Sequence, residues 1–282
     1  MRARAVWAIG IAGASAAAAC SLITPVDDLL ARDAGGDGAI ADAGAPDTAE
    51  AAATDSGTPD TGTPCGRPGL DKGLVAYWPM DEGSGSFVRD CTQNHYDGKF
   101  VRQDPDGGSW TPGAFGSAIT VSAPNGCVDF GTPQGLRFPG AFTASAWVYV
   151  AANPVDTSYV VGQTLAANIS GWRVALLPGP QTDWQMGIED AGNAELLANG
   201  PGTGKWTHIA GVFKPGAAIE VYVAGTPGGA LTSGVPPKVW EDLATMRVGC
   251  RGDDTLYFPG AIDEVRLYDR ALTPVEIAGL AQ

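Results

Sequence analysis

Carboxylates dominate the side chains that could do chemistry in this sequence. Asp and Glu number 31 against 17 Lys and Arg, with two His, and the formal net charge is −14. The most informative acid is Asp263, inside the run Gly260-Ala-Ile-Asp-Glu-Val-Arg-Leu-Tyr268. Strand alternation sets Ala261, Asp263, Val265 and Leu267 on one side, and Ile262, Glu264, Arg266 and Tyr268 on the other. An unpaired buried carboxylate is costly, so Asp263 is expected to meet a metal ion, backbone donors or a cation. A second group of residues suits polyol recognition. Trp172, Trp184 and Trp240 lie in or beside turn-rich segments, where an indole face can stack on a sugar ring; the alternative for each is a core tryptophan, with the neighbouring acids merely solvated. Asn193, Asp253 and Asp254 could hydrogen-bond hydroxyls. Loops are where recognition residues concentrate.

Other chemistry is missing from the pattern. No Gly-x-Ser-x-Gly elbow, His-Glu-x-x-His helix or phosphate-binding glycine loop occurs. His208 sits beside Trp206 in a strand and reads as a packed residue. Arg251-Gly252-Asp253 matches an adhesion tripeptide that recurs by chance. The acidic balance and the lack of a basic patch exclude nucleic acid as a partner.

These residues are carried by many short β-rich runs divided by Gly, Pro, Asn and Asp. Strands are expected at 74–80, 86–90, 97–102, 117–122, 126–131, 142–150, 158–163, 171–177, 183–189, 205–213, 218–224, 246–250 and 257–268. Phe142, Ala144, Ala146, Val148 and Val150 form one alternating stripe. Trp206, His208, Ala210 and Val212 form a second, and Ile219, Val221 and Val223 a third, followed by a turn over Gly225–Gly229. One helix is expected after Thr273, where Thr273-Pro274-Val275-Glu276 reads as a capping box with proline at the first helical position. Val275, Ile277 and Leu280 are expected to pack. The pattern predicts an all-β, two-sheet antiparallel sandwich with Greek-key or jelly-roll connections and a short C-terminal helix.

The first 64 residues have a different character. Arg2 and Arg4 precede an apolar stretch from Val6 to Ala19, too short to span a bilayer comfortably. It ends Ala17-Ala-Ala-Cys20, which resembles the lipobox of bacterial lipoproteins. That resemblance implies a signal peptide over 1–19, lipidation of Cys20, export, and, with Ser21 next, sorting to the outer membrane of a Gram-negative cell. The membrane is then met only through the lipid anchor. Residues 20–64 carry nine acids against Arg32 and no aromatic residue. Such a segment cannot bury enough apolar area to offset chain entropy, and reads as an acidic disordered linker. The domain is expected over 65–282, where seven of the eight tryptophans fall.

Lipidation of Cys20 leaves Cys65, Cys91, Cys127 and Cys250. In an exported domain these allow two disulfides in three pairings. A hairpin through Met80–Ser86 would return Cys91 toward Cys65, which favours Cys65–Cys91 and Cys127–Cys250 over the other pairings or free buried thiols.

Several motifs match a known family in order and spacing. They are Gly73-Leu-Val-Ala-Tyr-Trp-Pro-Met-Asp-Glu-Gly83 with Asp90 downstream, Gly126-Cys-Val-Asp-Phe130, Phe142-Thr-Ala-Ser-Ala-Trp-Val148, Trp206-Thr-His-Ile-Ala-Gly-Val-Phe213, Val221-Tyr-Val-Ala-Gly225 and Gly260–Leu272. Residues 70–280 resemble the laminin-G-like jelly rolls of the concanavalin A-like lectin/glucanase superfamily. Ala224 departs from the pattern, which usually has Asn before the turn glycine. The resemblance implies that the first and last strands are neighbours, so Asp81 and Asp263 could share a structural Ca²⁺ completed by backbone carbonyls, or else cap backbone donors. Glucanases of the superfamily carry Glu-x-Asp-x-x-Glu on one strand to divide nucleophile and acid roles. The adjacent Asp263-Glu264 pair, Glu189-Asp190 and Glu195 all miss that spacing, so no enzyme activity is expected. The leading expectation is a non-catalytic, lipid-anchored surface protein that binds glycans. A protein-binding adhesion or envelope-assembly module is the alternative, and a divergent glycosidase a further one.

Overall fold

The computed structural model describes residues 69–102, 109–164, 170–179, 182–189, 194–239 and 244–282. Cys20, Cys65, Asn193 and Trp240, the leader over 1–19 and the linker over 20–64 lie outside the described residues. The strands are β1 (Leu74–Trp78), β2 (Phe87–Val88), β3 (Gly98–Phe100), β4 (Trp110–Pro112), β5 (Ser117–Val121), β6 (Val128–Asp129), β7 (Phe142–Val150) and β8 (Ser158–Thr164). They continue with β9 (Gly171–Leu177), β10 (Asp183–Glu189), β11 (Ala194–Asn199), β12 (Trp206–Lys214), β13 (Ala218–Val223), β14 (Thr226–Leu231), β15 (Arg247–Val248) and β16 (Gly260–Tyr268). Among the described residues a single α-helix, α1 (Pro274–Leu280), follows.

The strands form two antiparallel sheets. Sheet A runs β14-β13-β12-β7-β16-β5-β4, with β1 also on β16, and sheet B runs β11-β10-β9-β8-β15-β6-β3-β2. Their facing sides make one core. Phe142, Ala144, Ala146 and Val148 of β7 meet Trp172, Val174 and Leu176 of β9 and Trp184, Met186 and Ile188 of β10. The Cys127–Cys250 disulfide is formed, with Cα atoms 5.6 Å apart. Cys91 is disulfide-bonded as well. The predicted sandwich and capping box are both present. Thr273 N–H donates to Glu276 Oε2 at 2.7 Å, and Thr273 Oγ1 accepts from the Glu276 amide. Arg270 clasps the same carboxylate through both guanidinium nitrogens and lowers its pKa to about 2. Ile277 and Leu280 are buried over the outer face of sheet A, whereas Val275 is exposed and does not pack.

Three strands were not expected: β4, β11 and β14. The Gly-rich run after Gly225 is a strand rather than a turn, because only Ala224 and Gly225 reverse the chain, both at positive φ. Two-residue hairpin loops of this kind match the twist of the flanking strands. Thr226–Leu231 then pairs along β13. A Cβ at Gly228 would lie 2.5 Å from Ala198 Cβ, so the glycine lets β14 approach β11. Ala224 holds φ +51° with no side-chain compensation.

Strand β16 changes partner midway. Its first half pairs with β5 and its last four residues with β1, while β7 runs along the other edge. Between Asp263 and Arg266 the ladder with β7 skips, so Glu264 and Val265 oppose one residue; Glu264 takes φ +55°. This β-bulge overturns the simple alternation expected for the strand. Ile262, Val265 and Leu267 share the core. Asp263 instead lies opposite Trp147 on the outer face, yet is fully buried. The turn joining β4 to β5 covers it: Phe115 N–H donates to Asp263 Oδ2 at 3.0 Å. Gly113 has room for no side chain there, because a Cβ would sit 2.6 Å from the same oxygen. Ser117 N–H donates to Asp81 Oδ1 at 2.9 Å. Glu264 is held by Tyr77 Oη at 2.7 Å and Arg266 Nη2 at 2.6 Å, with the guanidinium 3.9 Å from the Tyr77 ring centre. Burial lifts the Tyr77 phenol well above its ordinary value.

Burial pushes the Asp263 carboxyl from 3.8 up to about 8, aided by the nearby Glu264 and Asp81 charges and opposed by the Phe115 amide. Its second oxygen, Oδ1, is buried without a hydrogen-bond partner, and a proton there removes the buried charge.

Three outcomes follow for the folded domain. Ala224→Asn relieves the left-handed backbone and raises stability by about 0.5–1 kcal/mol in a denaturant titration. Glu264→Ala strands the Arg266 charge and lowers stability by about 3–5 kcal/mol in the same assay. Folded Asp263 keeps a proton that the unfolded chain releases above pH 4. Its contribution to stability therefore declines as pH rises from about 4 to about 8 and is level beyond. The melting-temperature difference between wild type and Asp263→Asn traces that decline, and a pH-independent difference refutes it.

Candidate functional site

The residues expected to touch a ligand are dispersed by the fold. Trp172 and Trp184 are each 1% exposed. Trp172 packs on Phe142 and Phe138, and Trp184 on Phe258. Both point between the sheets because they alternate in register with Val174 and Leu176, and with Met186 and Ile188. Neither can present a ring to a sugar, which corrects their assignment to a binding surface. Asp253 is committed within its own loop: Arg251 donates to its two oxygens at 2.9 and 2.7 Å, and Thr255 adds a third bond at 2.6 Å. That contact holds the carboxyl below its usual range. The Arg-Gly-Asp tripeptide is thus closed on itself. Asp254 lies 3.2 Å from Arg247 Nη2.

Arg247 belongs to a row crossing the outer face of sheet B. Direct cross-strand pairing aligns Glu195, Gly187, Arg173 and Gly162, then Arg247, Asp129, Lys99 and Phe87. The row neutralises itself. Arg173 bonds Glu195 and Gln185, Arg247 meets Asp129 at 3.3 Å, and Lys99 lies over the Phe87 ring.

Of the two roles expected of the Asp81–Asp263 pair, sharing a hard cation or capping backbone donors, the structure shows the second. Each carboxylate already holds a backbone amide of the β4–β5 turn. Among the described residues, no three His, Cys, Asp or Glu groups gather closely enough to hold a metal ion. Calcium takes six to eight oxygens, so a shell here would need the second oxygen of each acid and several backbone carbonyls besides. The capping alternative accounts for both acids.

The arrangement best suited to a ligand lies at the rim where β11 meets β12, β13 and β14. A groove of about 390 Å³ is lined by Asn199, Gly200, Pro201, Lys205, Trp206 and Thr207 and by Val223, Ala224, Thr226, Pro227 and Gly228. Its shape follows from three local constraints. Gly200 N–H and Pro201 C=O both bond Thr182, which fixes the exit of β11. Gly204 N–H bonds Val150 C=O and seats the start of β12 beside β7. The tight Ala224-Gly225 reversal and the narrow Gly228 bring β14 close. Trp206 lies half-buried in this wall, opposite Tyr149, with ring centres 5.8 Å apart at 55°. A half-buried indole with amide and hydroxyl groups beside it and Lys205 as the single charge of the lining can stack on and hydrogen-bond a polyol. The lining contains no carboxylate.

Sequence reasoning had placed Trp206 in a stripe with His208, Ala210 and Val212, but not as a ligand contact. Those four residues face outward, away from the core defined by Ile209 and Phe213. The signal that separates them is the opposite parity of Ile209 and Phe213. It is weak because α1 makes the outer stripe apolar too. His208 is packed, 1% exposed, against Trp147.

Comparison with known proteins agrees with this architecture. Domain 4 of AbnA, a GH43 extracellular arabinanase from Geobacillus stearothermophilus solved in complex with arabinotriose, is 25% identical, with a TM-score of 0.55. The match covers 74% of this chain and 98% of that domain. The binding domain of Paraclostridial Mosquitocidal Protein 1 shares the fold at 16% identity and a TM-score of 0.58, over 75% of this chain and 52% of that one. The human adhesion G-protein coupled receptor D1 is 26% identical over 210 residues, 72% of this chain. This chain spans only 22% of that receptor's length. The laminin G family model described as the concanavalin A-like lectin/glucanases superfamily matches residues 118–278, more than half of the chain, and the protein belongs to that superfamily.

Proposed function

We propose that this protein is a non-catalytic glycan-binding module, exported and held at a bacterial outer membrane by lipid on Cys20. Residues 20–64 serve as the acidic tether that sets the domain off from the membrane. The Trp206 groove is the sugar site, and the observation that carries this reading is the half-buried indole set among polar groups and one lysine, with no carboxylate, at an open rim. The arabinanase domain solved with arabinotriose, similar over nearly its whole length, supports a saccharide ligand. The non-catalytic reading is supported by what the acids do. Glu264 is saturated by Tyr77 and Arg266, and Asp263 lies beneath the β4–β5 turn, so neither reaches a substrate.

A protein-binding role is the second reading, favoured by the likeness to an adhesion receptor. The two differ in a direct test. Glycan-array screening of the soluble domain is expected to give carbohydrate hits that Trp206→Ala weakens by about tenfold, or about 1.4 kcal/mol. A silent array favours the protein partner. Hits unaffected by Trp206→Ala place the sugar elsewhere. Radiolabelled palmitate incorporated into the full-length protein, and abolished by Cys20→Ala, is the expected mark of the anchor.

A further inference from the structure

The groove does not stop at Trp206. Pairing of β7 with β12 puts Tyr149 opposite Trp206, and Trp147 opposite His208, on the outer face of sheet A. Trp147 and Tyr149 stand two residues apart on one strand, about 7 Å along it. The Trp147 ring then meets Phe115 edge-on at 5.6 Å. Phe115 is 37% exposed, and Trp147, Tyr149 and Trp206 are each partly exposed. The rings therefore make a diagonal belt from β12 across β7 to the turn over β16. Nothing in that belt is loose. Phe115 is anchored through its amide to the buried Asp263, and Trp147 Nε1–H reaches Leu280 C=O at 3.3 Å. Asp263, the acid paired into these rows, is hidden beneath the turn, and the exposed Asp81 carboxylate borders only the Phe115 end, where it accepts the Ser117 amide.

A groove that held one terminal sugar would need only Trp206 and its polar neighbours. Partly exposed aromatic rings continuing away from it, on a rigid sheet, suit a ligand that continues as well. Building on the glycan-binding reading above, we infer that the ligand is an unbranched oligosaccharide of several linked neutral sugars. Its end lies in the Trp206 groove, and its following units lie along Tyr149, Trp147 and Phe115. Each further ring contact adds stacking area on an already ordered surface, so affinity grows with chain length until the belt is covered.

The test is calorimetric titration of the protein with arabino-, xylo- and gluco-oligosaccharides, each series running from disaccharide to hexasaccharide. The wild type is expected to gain at least tenfold in affinity from the shortest to the longest member of the series it binds. Phe115→Ala and Trp147→Leu, checked for folding by thermal melts, are expected to bind the disaccharide as the wild type does and to lose most of that gain. Phe115→Tyr, which restores a ring, is expected to recover it. Binding that is independent of length, or a gain untouched by both substitutions, overturns this inference and leaves the groove reading standing. Failure of all three series to bind at any length overturns both.

Discussion

A strand that changes neighbours halfway along must fill the gap left where one partner departs and the next arrives. In β16 the gap falls at Asp263, between the end of β1 and the start of β5. The chain answers with a bulge that sets Glu264 at positive φ and with a turn from the β4–β5 hairpin folded over the vacant ladder position. Backbone amides that would otherwise lack partners find the carboxylates of Asp81 and Asp263. Two acids that resemble a metal pair on paper are thus substitutes for missing strand hydrogen bonds. The rest of sheet A depends on this joint, since β16 is the strand that binds β7 to both β1 and β5.

The joint also shapes the outer surface. The turn that caps Asp263 carries Phe115, and the bulge brings Trp147 beside it. Further along β7, Tyr149 meets Trp206 at the rim. Helix α1 packs over Ala210, Val212, Tyr222 and Tyr268 of that face. The aromatic strip and the groove at its end stay partly open. Sheet B differs: its outer row of arginines and acids is internally paired, which stiffens the sheet while leaving little unspent hydrogen-bonding capacity.

Much of the fold was legible in the sequence because alternation is clean where only one face is buried. The stripes of β7 and β13 and the capping box of α1 read directly. The elements that escaped are those whose chemistry imitates something else. β14 looks like a turn because it is Thr-Pro-Gly-Gly, yet an edge strand needs only backbone to pair. The bulge at Glu264 is invisible to a period-two reading, so Asp263 was assigned to the wrong side of its sheet. Trp172 and Trp184 were judged by their turn-rich flanks, although each keeps step with inward aliphatic residues two and four positions on. For the candidate site the difficulty was inverse. Trp206 belongs to a stripe as apolar as the core-facing one, because a helix packs on part of it, and composition alone cannot rank two greasy faces.

The two terminal strands of sheet A have one feature in common: β4 contains Pro112 and β14 contains Pro227. A proline lacks the amide hydrogen that an incoming strand would require, and such residues blunt a sheet border against extension. At these two borders a second copy's strand meets a missing donor, so sheet A resists extension there. That resistance to self-association leaves the partly exposed rings on the outer face of sheet A accessible.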